Sequence, residues 1–142
     1  MSLDDKVAVL RIVIAAPIIE ETLFRGVFIP FLMTHGWGQK FAFVYCSTLF
    51  GLAHLHHLIT ESVIDTKKVV TAIVQVMFTT LFGMFSSYVY FCTKSVISCV
   101  LCHALCNYLG FPDFSNLYDN KSLIVYLVGI TLFISSFAIH FI

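Results

Sequence analysis

The most marked shortage in this sequence of 142 residues is charge, since only 11% of the residues are Asp, Glu, Lys or Arg. An ordinary soluble domain carries about 25% charged residues, so this chain lacks the surface that water requires. Eight basic and eight acidic residues cancel. No long basic run occurs, which argues against nucleic-acid binding and against an electrostatic surface anchor. With 59% hydrophobic residues, the composition predicts that lipid surrounds the chain. The polar stretches are too short to be linkers between domains, so we expect a single domain, residues 1–142.

Signals for disulfides, secretion and zinc are also missing. The five cysteines lie in apolar segments, where an odd number does not indicate a disulfide framework. Cys99, Cys102 and Cys106 recur at helical spacing, and we interpret them as packing residues rather than as a metal site. The first six residues lack the basic region of a signal peptide. No HExxH motif or other compact zinc signature is present, and the chain contains no internal repeat.

Long apolar stretches are what the sequence has in abundance. A helix needs about 20 residues to cross a bilayer. The pattern predicts five helices, at residues 7–33, 41–59, 69–92, 95–109 and 122–142. We expect a kink or break near Pro17, and the short fourth helix is expected to be tilted or partly embedded. If the helices cross the membrane in alternating directions, four lysines lie on the same side as the N-terminus and two lie on the opposite side. The positive-inside rule then predicts that the N-terminal side is cytosolic.

The first polar motif within these apolar stretches is Glu20-Glu21-Thr22-Leu23-Phe24-Arg25. Ionisable side chains are costly in hydrocarbon and therefore imply a purpose and mutual partners. Glu21 and Arg25 are four residues apart on one helix face, which predicts a salt bridge. The Cβ of Glu20 points about 100° away from that of Glu21. Glu20 is then left to face a pocket as a general base, whereas a structural ion pair remains the alternative for Glu21 and Arg25.

Two further motifs supply imidazoles and an amide. His54 follows Phe50 by four residues, and we interpret it as a second acid–base group that shares the catalytic water with Glu20. The alternative is a histidine bonded to a backbone carbonyl near the interface. His103 and Asn107 project together, as two oxyanion donors would, or else each makes an interhelical hydrogen bond. Three polar motifs on three apolar helices predict an intramembrane hydrolase.

The ordered motifs EExxxR, FxxxH and HxxxN resemble those of the type II CAAX prenyl endopeptidases, in the superfamily of CAAX proteases and bacteriocin-processing enzymes. The flanking sequences are similar to the eukaryotic, Ras-converting branch of this family. They read FGLAHLHH at residues 50–57 and VLCHALCNYLGFP at residues 100–112. The resemblance extends from about residue 16 to residue 112 and therefore covers most of the chain.

This resemblance implies an all-α, polytopic integral membrane bundle with a conical catalytic cavity that opens to the cytosol and to lipid. The implied location is the endoplasmic reticulum membrane. The implied reaction removes the last three residues from prenylated CAAX proteins, such as Ras-type small GTPases. Members of the family have further helices upstream of EExxxR, whereas nineteen residues precede Glu20 here. We therefore expect upstream helices to be missing from this domain.

The resemblance also implies a role for each polar residue. Glu20 would activate water with help from His54, and His103 with Asn107 would stabilise the oxyanion. The supporting pair would be Glu21 and Arg25. No cofactor and no metal are implied.

Three other functions compete with this interpretation. In a zinc-dependent intramembrane protease, Glu20, His54 and His103 would be three ligands and water the fourth. A non-catalytic membrane scaffold of the same superfamily would have no need of every polar motif residue. A transporter with Glu20 as its proton site is least favoured, because the sequence has no two matching halves.

Overall fold

The structure is a computed structural model that describes residues 2–55 and 65–110, together with Ile124, Thr131 and Ser135. All the regular secondary structure of these described residues is helical, with no strand among them, as the all-α prediction requires. Contacts divide the chain into two compact units, Met1–Tyr108 and Leu109–Ile142. Every predicted site residue belongs to the first unit. Apart from the three isolated positions, the predicted helix at 122–142 lies outside the described residues.

The first part of the chain is one uninterrupted helical stretch with two wider turns. Its segments are helix α1 (Leu3–Leu10), a π segment (Arg11–Ala15), helix α2 (Ala16–Glu21), a second π segment (Thr22–Phe28) and helix α3 (Ile29–Thr34). The residues at the junctions keep right-handed helical dihedrals. The expected break near Pro17 is therefore absent, and the helix accommodates this proline instead.

The two π segments explain how the helix tolerates its prolines. A proline has no N–H, and its ring clashes with the carbonyl four residues earlier in an α-helix. A π turn bonds to the fifth residue back and widens the helix. Ala16 N–H donates to the Arg11 carbonyl just before Pro17, and Ile29 N–H donates to the Phe24 carbonyl just before Pro30. Glu20 and Glu21 lie between these two π segments.

A tight turn ends α3 and leads into helix α4 (Gln39–Ala53). Gly36 has a φ of 85°, which a residue without Cβ adopts at no steric cost. Trp37 N–H then donates to the Leu32 carbonyl, five residues earlier, at 3.1 Å. This bond is typical of a Schellman cap.

Helix α4 ends earlier than residue 59, the limit that hydrophobicity predicts. His54, which the longer predicted helix would place before its end, is the C-cap of α4. His54 N–H donates to the Gly51 carbonyl and Leu55 N–H donates to the Leu52 carbonyl. These bonds span three residues and tighten the chain into a 3₁₀-type turn. Apolar composition extends past this point, so it could not reveal the end of the helix.

Helix α5 (Thr66–Thr93) and helix α6 (Val96–Leu109) agree with the predicted helices at 69–92 and 95–109. The Asp65 side chain caps α5 by accepting from Lys68 N–H at 2.8 Å, as is usual for an aspartate at a helix N-terminus. Lys94 ends α5 in the left-handed region, with a φ of 55°. The next helix then begins after a single further residue.

Small residues let α4 and α5 approach closely. A Cβ atom added to Gly51 would overlap Thr80 Oγ1, and one added to Gly83 would lie 3.0 Å from the Ser47 carbonyl oxygen. The earlier residue of α4 meets the later residue of α5, so the two helices run antiparallel. Small residues at the contact are typical of helix pairs in membranes.

The helices expose apolar side chains and bury polar ones, which is the reverse of the arrangement in a water-soluble protein. On α6, Ile97 and Leu101 are exposed while His103 is buried. Within α5, the segment Lys68–Thr93 is long and apolar enough to cross a bilayer by length and composition, and only 17% of its most apolar part is buried. Apolar faces of this kind need lipid or further helices to cover them.

Candidate active site

The carboxylate of Glu21 is the centre of the buried polar cluster. This side chain is fully buried. Its Oε2 lies 3.1 Å from Arg25 Nη1 and accepts a hydrogen bond of 2.7 Å from the Ser86 hydroxyl. Its Oε1 lies 2.9 Å from His103 Nδ1. The predicted salt bridge between Glu21 and Arg25 is therefore confirmed, and the same carboxylate also links α5 and α6 to the first helical stretch.

The Arg25 guanidinium is fully buried as well. Its Nη2 donates to the Gly83 carbonyl at 2.8 Å, and its Cζ lies 4.8 Å from the centroid of the Phe50 ring. A cation over an aromatic face gains electrostatic stabilisation, and more so away from water. Together with the Glu21 carboxylate, these contacts offset the cost of removing the charge from water.

The His103 imidazole lies between the two glutamates. Its Nδ1 faces Glu21 Oε1, and its Nε2 lies 4.0 Å from Glu20 Oε2. Its ring centroid is 4.6 Å from that of Phe82 and 5.9 Å from that of Phe50. A carboxylate only accepts hydrogen bonds, so His103 Nδ1 carries the proton in its contact with Glu21. The opposite ring nitrogen, Nε2, is thereby directed towards Glu20.

The two adjacent glutamates have different surroundings. The Glu20 side chain is 32% exposed, whereas that of Glu21 is fully buried. Glu20 Oε2 is itself buried and accepts no hydrogen bond from the described residues. A buried carboxylate oxygen without a donor is uncommon in structural positions. Glu21 is thus the carboxylate with several partners, and Glu20 is the one that can accept a further partner. The different directions of their Cβ atoms predict this difference.

His54 lies at the end of α4, next to the same phenylalanine. Its Nδ1 lies 2.9 Å from the Phe50 carbonyl oxygen, and the two rings are 5.2 Å apart. A carbonyl only accepts, so Nδ1 is the donor and Nε2 is the acceptor of the neutral ring. The backbone bond that was the alternative for His54 is therefore present, and it fixes the tautomer in which Nε2 can receive a proton. The Phe50 ring contacts His54 and His103 alike.

Asn107 does not share an acceptor with His103 in this structure. Its Nδ2 donates to the Ile12 carbonyl at 2.9 Å, whereas His103 Nδ1 faces Glu21. Both bonds join α6 to the first helical stretch, as the interhelical alternative predicted. Convergence of the two side chains on one oxyanion stays a prediction.

Sequence reasoning did not identify Ser86, Gly83 or Phe82 as members of the cluster. All three lie in the uncharged span at 69–92, where serine and glycine read as packing residues. The partners of Gly83 and Ser86 are 58 and 65 positions away, and Phe82 contacts His103 on another helix, so local spacing carries no signal for them.

Other features of the described residues lie apart from this cluster. Residues 2–55 and 65–110 contain no group of three His, Cys, Asp or Glu side chains arranged to hold a metal ion. An apolar cavity of about 190 Å³ is lined by Phe28, Phe31, Leu32, Tyr45 and Leu49. None of these five is a predicted site residue.

Two carboxylates, a guanidinium and an imidazole on apolar helices have the composition of a hydrolytic site in a membrane protein. Comparison with known families identifies the class more closely. Residues 3–109 match the family described as Type II CAAX prenyl endopeptidase Rce1-like. This match includes most of the chain and all of the predicted site residues, and the chain belongs to this family.

Three curated relatives have the name of a protease in this family. The chain is 33% identical to human CAAX prenyl protease 2 over 133 residues, which cover 88% of the chain and 40% of that protein. It is 28% identical to the probable CAAX prenyl protease 2 of Schizosaccharomyces pombe, with 91% of the chain and 51% of that protein covered. It is 33% identical to CAAX prenyl protease 2 of Arabidopsis thaliana, with 90% of the chain and 42% of that protein covered. The chain thus spans about half or less of the length of these relatives. No solved structure matches it.

Proposed function

We propose that this chain carries the catalytic centre of an intramembrane endopeptidase that removes the C-terminal tripeptide from prenylated CAAX proteins. The family supports this reaction, and one observation supports the mechanism. Glu20 Oε2 lies 4.0 Å from His103 Nε2 while buried Glu21 holds the other nitrogen of that ring. A water can bridge both groups across such a separation, because it donates to the carboxylate and each hydrogen bond spans about 2.8 Å.

Glu20 acts as the general base. It takes a proton from water as the water oxygen attacks the carbonyl carbon of the scissile bond, and it returns that proton to the leaving amine. Its accessible carboxylate and its buried Oε2 without a donor support this role. His54 assists through Nε2, the acceptor nitrogen that its bond to the Phe50 carbonyl implies.

His103 and Asn107 stabilise the oxyanion that forms in the transition state. A proton held on His103 Nδ1 by Glu21 leaves Nε2 as the nitrogen that meets the substrate, and Nε2 donates to the oxyanion when it also carries a proton. Asn107 contributes an amide N–H one turn further along α6. The supporting role of Glu21 and Arg25 is to fix this imidazole in a fully buried ion-pair cluster.

The substrate and location follow from the same proposal. A prenyl chain partitions into lipid and brings its scissile bond to the membrane, so Ras-type small GTPases with a prenylated CAAX end are suitable substrates. We place the protein in the endoplasmic reticulum membrane as a multi-pass bundle whose catalytic cavity opens to the cytosol. The exposed apolar faces and the span in α5 support the membrane location.

A chimera tests the proposed function without requiring the chain to act alone. The matched segment of human CAAX prenyl protease 2 is replaced by this chain, and membranes receive a farnesylated CAAX peptide or the same peptide without the lipid. Release of the intact tripeptide from the farnesylated peptide only is the expected result. A correctly inserted chimera that cleaves neither peptide, while the human protein cleaves the first, would refute the proposal.

A further inference from the structure

Asn107 donates a hydrogen bond to the Ile12 carbonyl, which belongs to the first π segment. This carbonyl can accept from a side chain because a proline stands where its backbone donor would be. Directly after this segment, the Ala16 N–H bonds to the Arg11 carbonyl, five residues earlier. The next amide in that register is residue 17, which would bond to the Ile12 carbonyl. Residue 17 is a proline and has no N–H. The carbonyl that Pro17 cannot bind is the one that accepts from Asn107 Nδ2 at 2.9 Å.

We infer that Pro17 is a positioning residue for the reaction, because it leaves the Ile12 carbonyl free to orient the Asn107 amide. This inference rests on the proposed function, in which Asn107 is an oxyanion donor. An asparagine amide has two N–H groups in one plane. When Ile12 accepts from one of them, the amide plane is fixed and the direction of the second N–H is set. A preorganised donor stabilises an oxyanion without reorganising during the reaction.

The second π segment provides a matched control. Ile29 N–H donates to the Phe24 carbonyl, and the next residue is Pro30, so the register is the same as at Pro17. Replacing either proline by alanine adds one N–H at the same place, two residues after the end of a π segment. Only the carbonyl released by Pro17 accepts a hydrogen bond from Asn107. If restoring a backbone N–H has a general effect on the helix, both variants should show it. An effect that acts through Asn107 should appear in Pro17→Ala and not in Pro30→Ala.

Nuclear magnetic resonance of the asparagine side chains tests the bond itself, independently of activity. The chain has three asparagines, at positions 107, 116 and 120, so selective ¹⁵N-asparagine labelling gives three NH₂ pairs, and Asn107→Ala assigns one of them. In Pro17→Ala, the restored amide competes for Ile12, and the Asn107 pair shifts and exchanges faster with water. In Pro30→Ala it stays unchanged. An Asn107 pair that is the same in wild type and Pro17→Ala would overturn the inference.

A double-mutant cycle tests the consequence in the chimera. We expect Pro17→Ala to lower kcat with KM nearly unchanged, by at most the roughly 10²–10³-fold that loss of an oxyanion donor costs. In an Asn107→Ala background the same change should have almost no effect, because residues that act as a unit are not additive. Equal losses in both backgrounds would overturn the inference. An inactive parent chimera would count against the proposed function and leave the resonance experiment to decide this one.

Replacement of Pro17 by lactic acid separates the missing N–H from the ring. Lactic acid is the hydroxy analogue of alanine and forms a backbone ester, so it has neither the proline ring nor an N–H. We expect this variant to retain the wild-type Asn107 resonances, unlike Pro17→Ala. Resonances that match Pro17→Ala instead would show that the ring, rather than the free carbonyl, positions Asn107.

Discussion

His103 Nδ1 lies 2.9 Å from Glu21 Oε1, and this contact joins two residues that are 82 positions apart in the chain. The same carboxylate holds Arg25 and Ser86 through its other oxygen. Three helical elements therefore meet at one buried negative charge. Because the histidine also faces Glu20, the group that ties the helices together is the one that orients the proposed catalytic imidazole.

Removal of the Glu21 charge should destabilise the fold. In Glu21→Gln, Arg25 remains fully buried without an ionic partner, and loss of one partner of a buried pair costs about 3–5 kcal/mol. Thermal unfolding of purified protein in nanodiscs measures the effect. Glu20→Gln is the matched control, because this side chain is partly exposed and has no ion pair with Arg25 among the described residues. Equal unfolding temperatures for the two variants would contradict the division of roles.

Ser86 and Ser87 form a natural pair of adjacent, fully buried serines with different partners. Ser86 donates to the Glu21 carboxylate, whereas Ser87 contacts the Ser47 hydroxyl at 3.2 Å. Hydrogen bonds to charged groups contribute about 1.5–3 kcal/mol and neutral ones about 0.5–1.5. We therefore expect Ser86→Ala to lower the free energy of unfolding more than Ser87→Ala. Denaturant titration of both variants decides this, and the reverse order would refute it.

The contact between α4 and α5 should not tolerate a methyl group at Gly51. An added Cβ would overlap Thr80 Oγ1 and lie 2.9 Å from the Val76 carbonyl oxygen, which is backbone and cannot rotate away. Overpacking of this kind costs about 1–3 kcal/mol. Gly38→Ala is the control, since a Cβ there meets nothing within 4 Å. Comparable thermal stability of the two variants would show that the helices separate without cost.

Hydrolysis should not depend on a metal ion. In the proposed mechanism Glu20 and His54 activate water and His103 with Asn107 holds the oxyanion, so no step requires a metal ion. We expect the chimera to keep its cleavage rate after dialysis against a chelator and to bind no stoichiometric zinc by elemental analysis. Activity that is lost on chelation and restored by zinc alone would favour the zinc-dependent alternative instead.

Local periodicity predicted the parts of this molecule that depend on neighbouring residues. The helices around 69–92 and 95–109 follow from apolar length, and the pairing of Glu21 with Arg25 follows from their spacing of four. Different environments for two adjacent glutamates likewise follow from the angle between their Cβ atoms.

The rest of the site depends on packing between distant helices. No spacing rule relates Glu21 to Ser86 or to His103, which are 65 and 82 positions away. The π segments arise where Pro17 and Pro30 must fit into a continuous helix, whereas the proline rule alone predicted a kink or break. Helix α4 ends at His54 through bonds to its own last turn, although hydrophobic composition continues beyond it.

The most direct test of the central claim is the rate at which the tripeptide is released from a farnesylated CAAX peptide by the chimera and by its Glu20→Gln variant. Glutamine keeps the shape of the side chain but cannot accept the proton of water. We predict a loss of roughly 10²–10⁴-fold at unchanged protein level and unfolding temperature. A Glu20→Gln variant that cleaves at the rate of the parent would contradict the proposal that this carboxylate activates water.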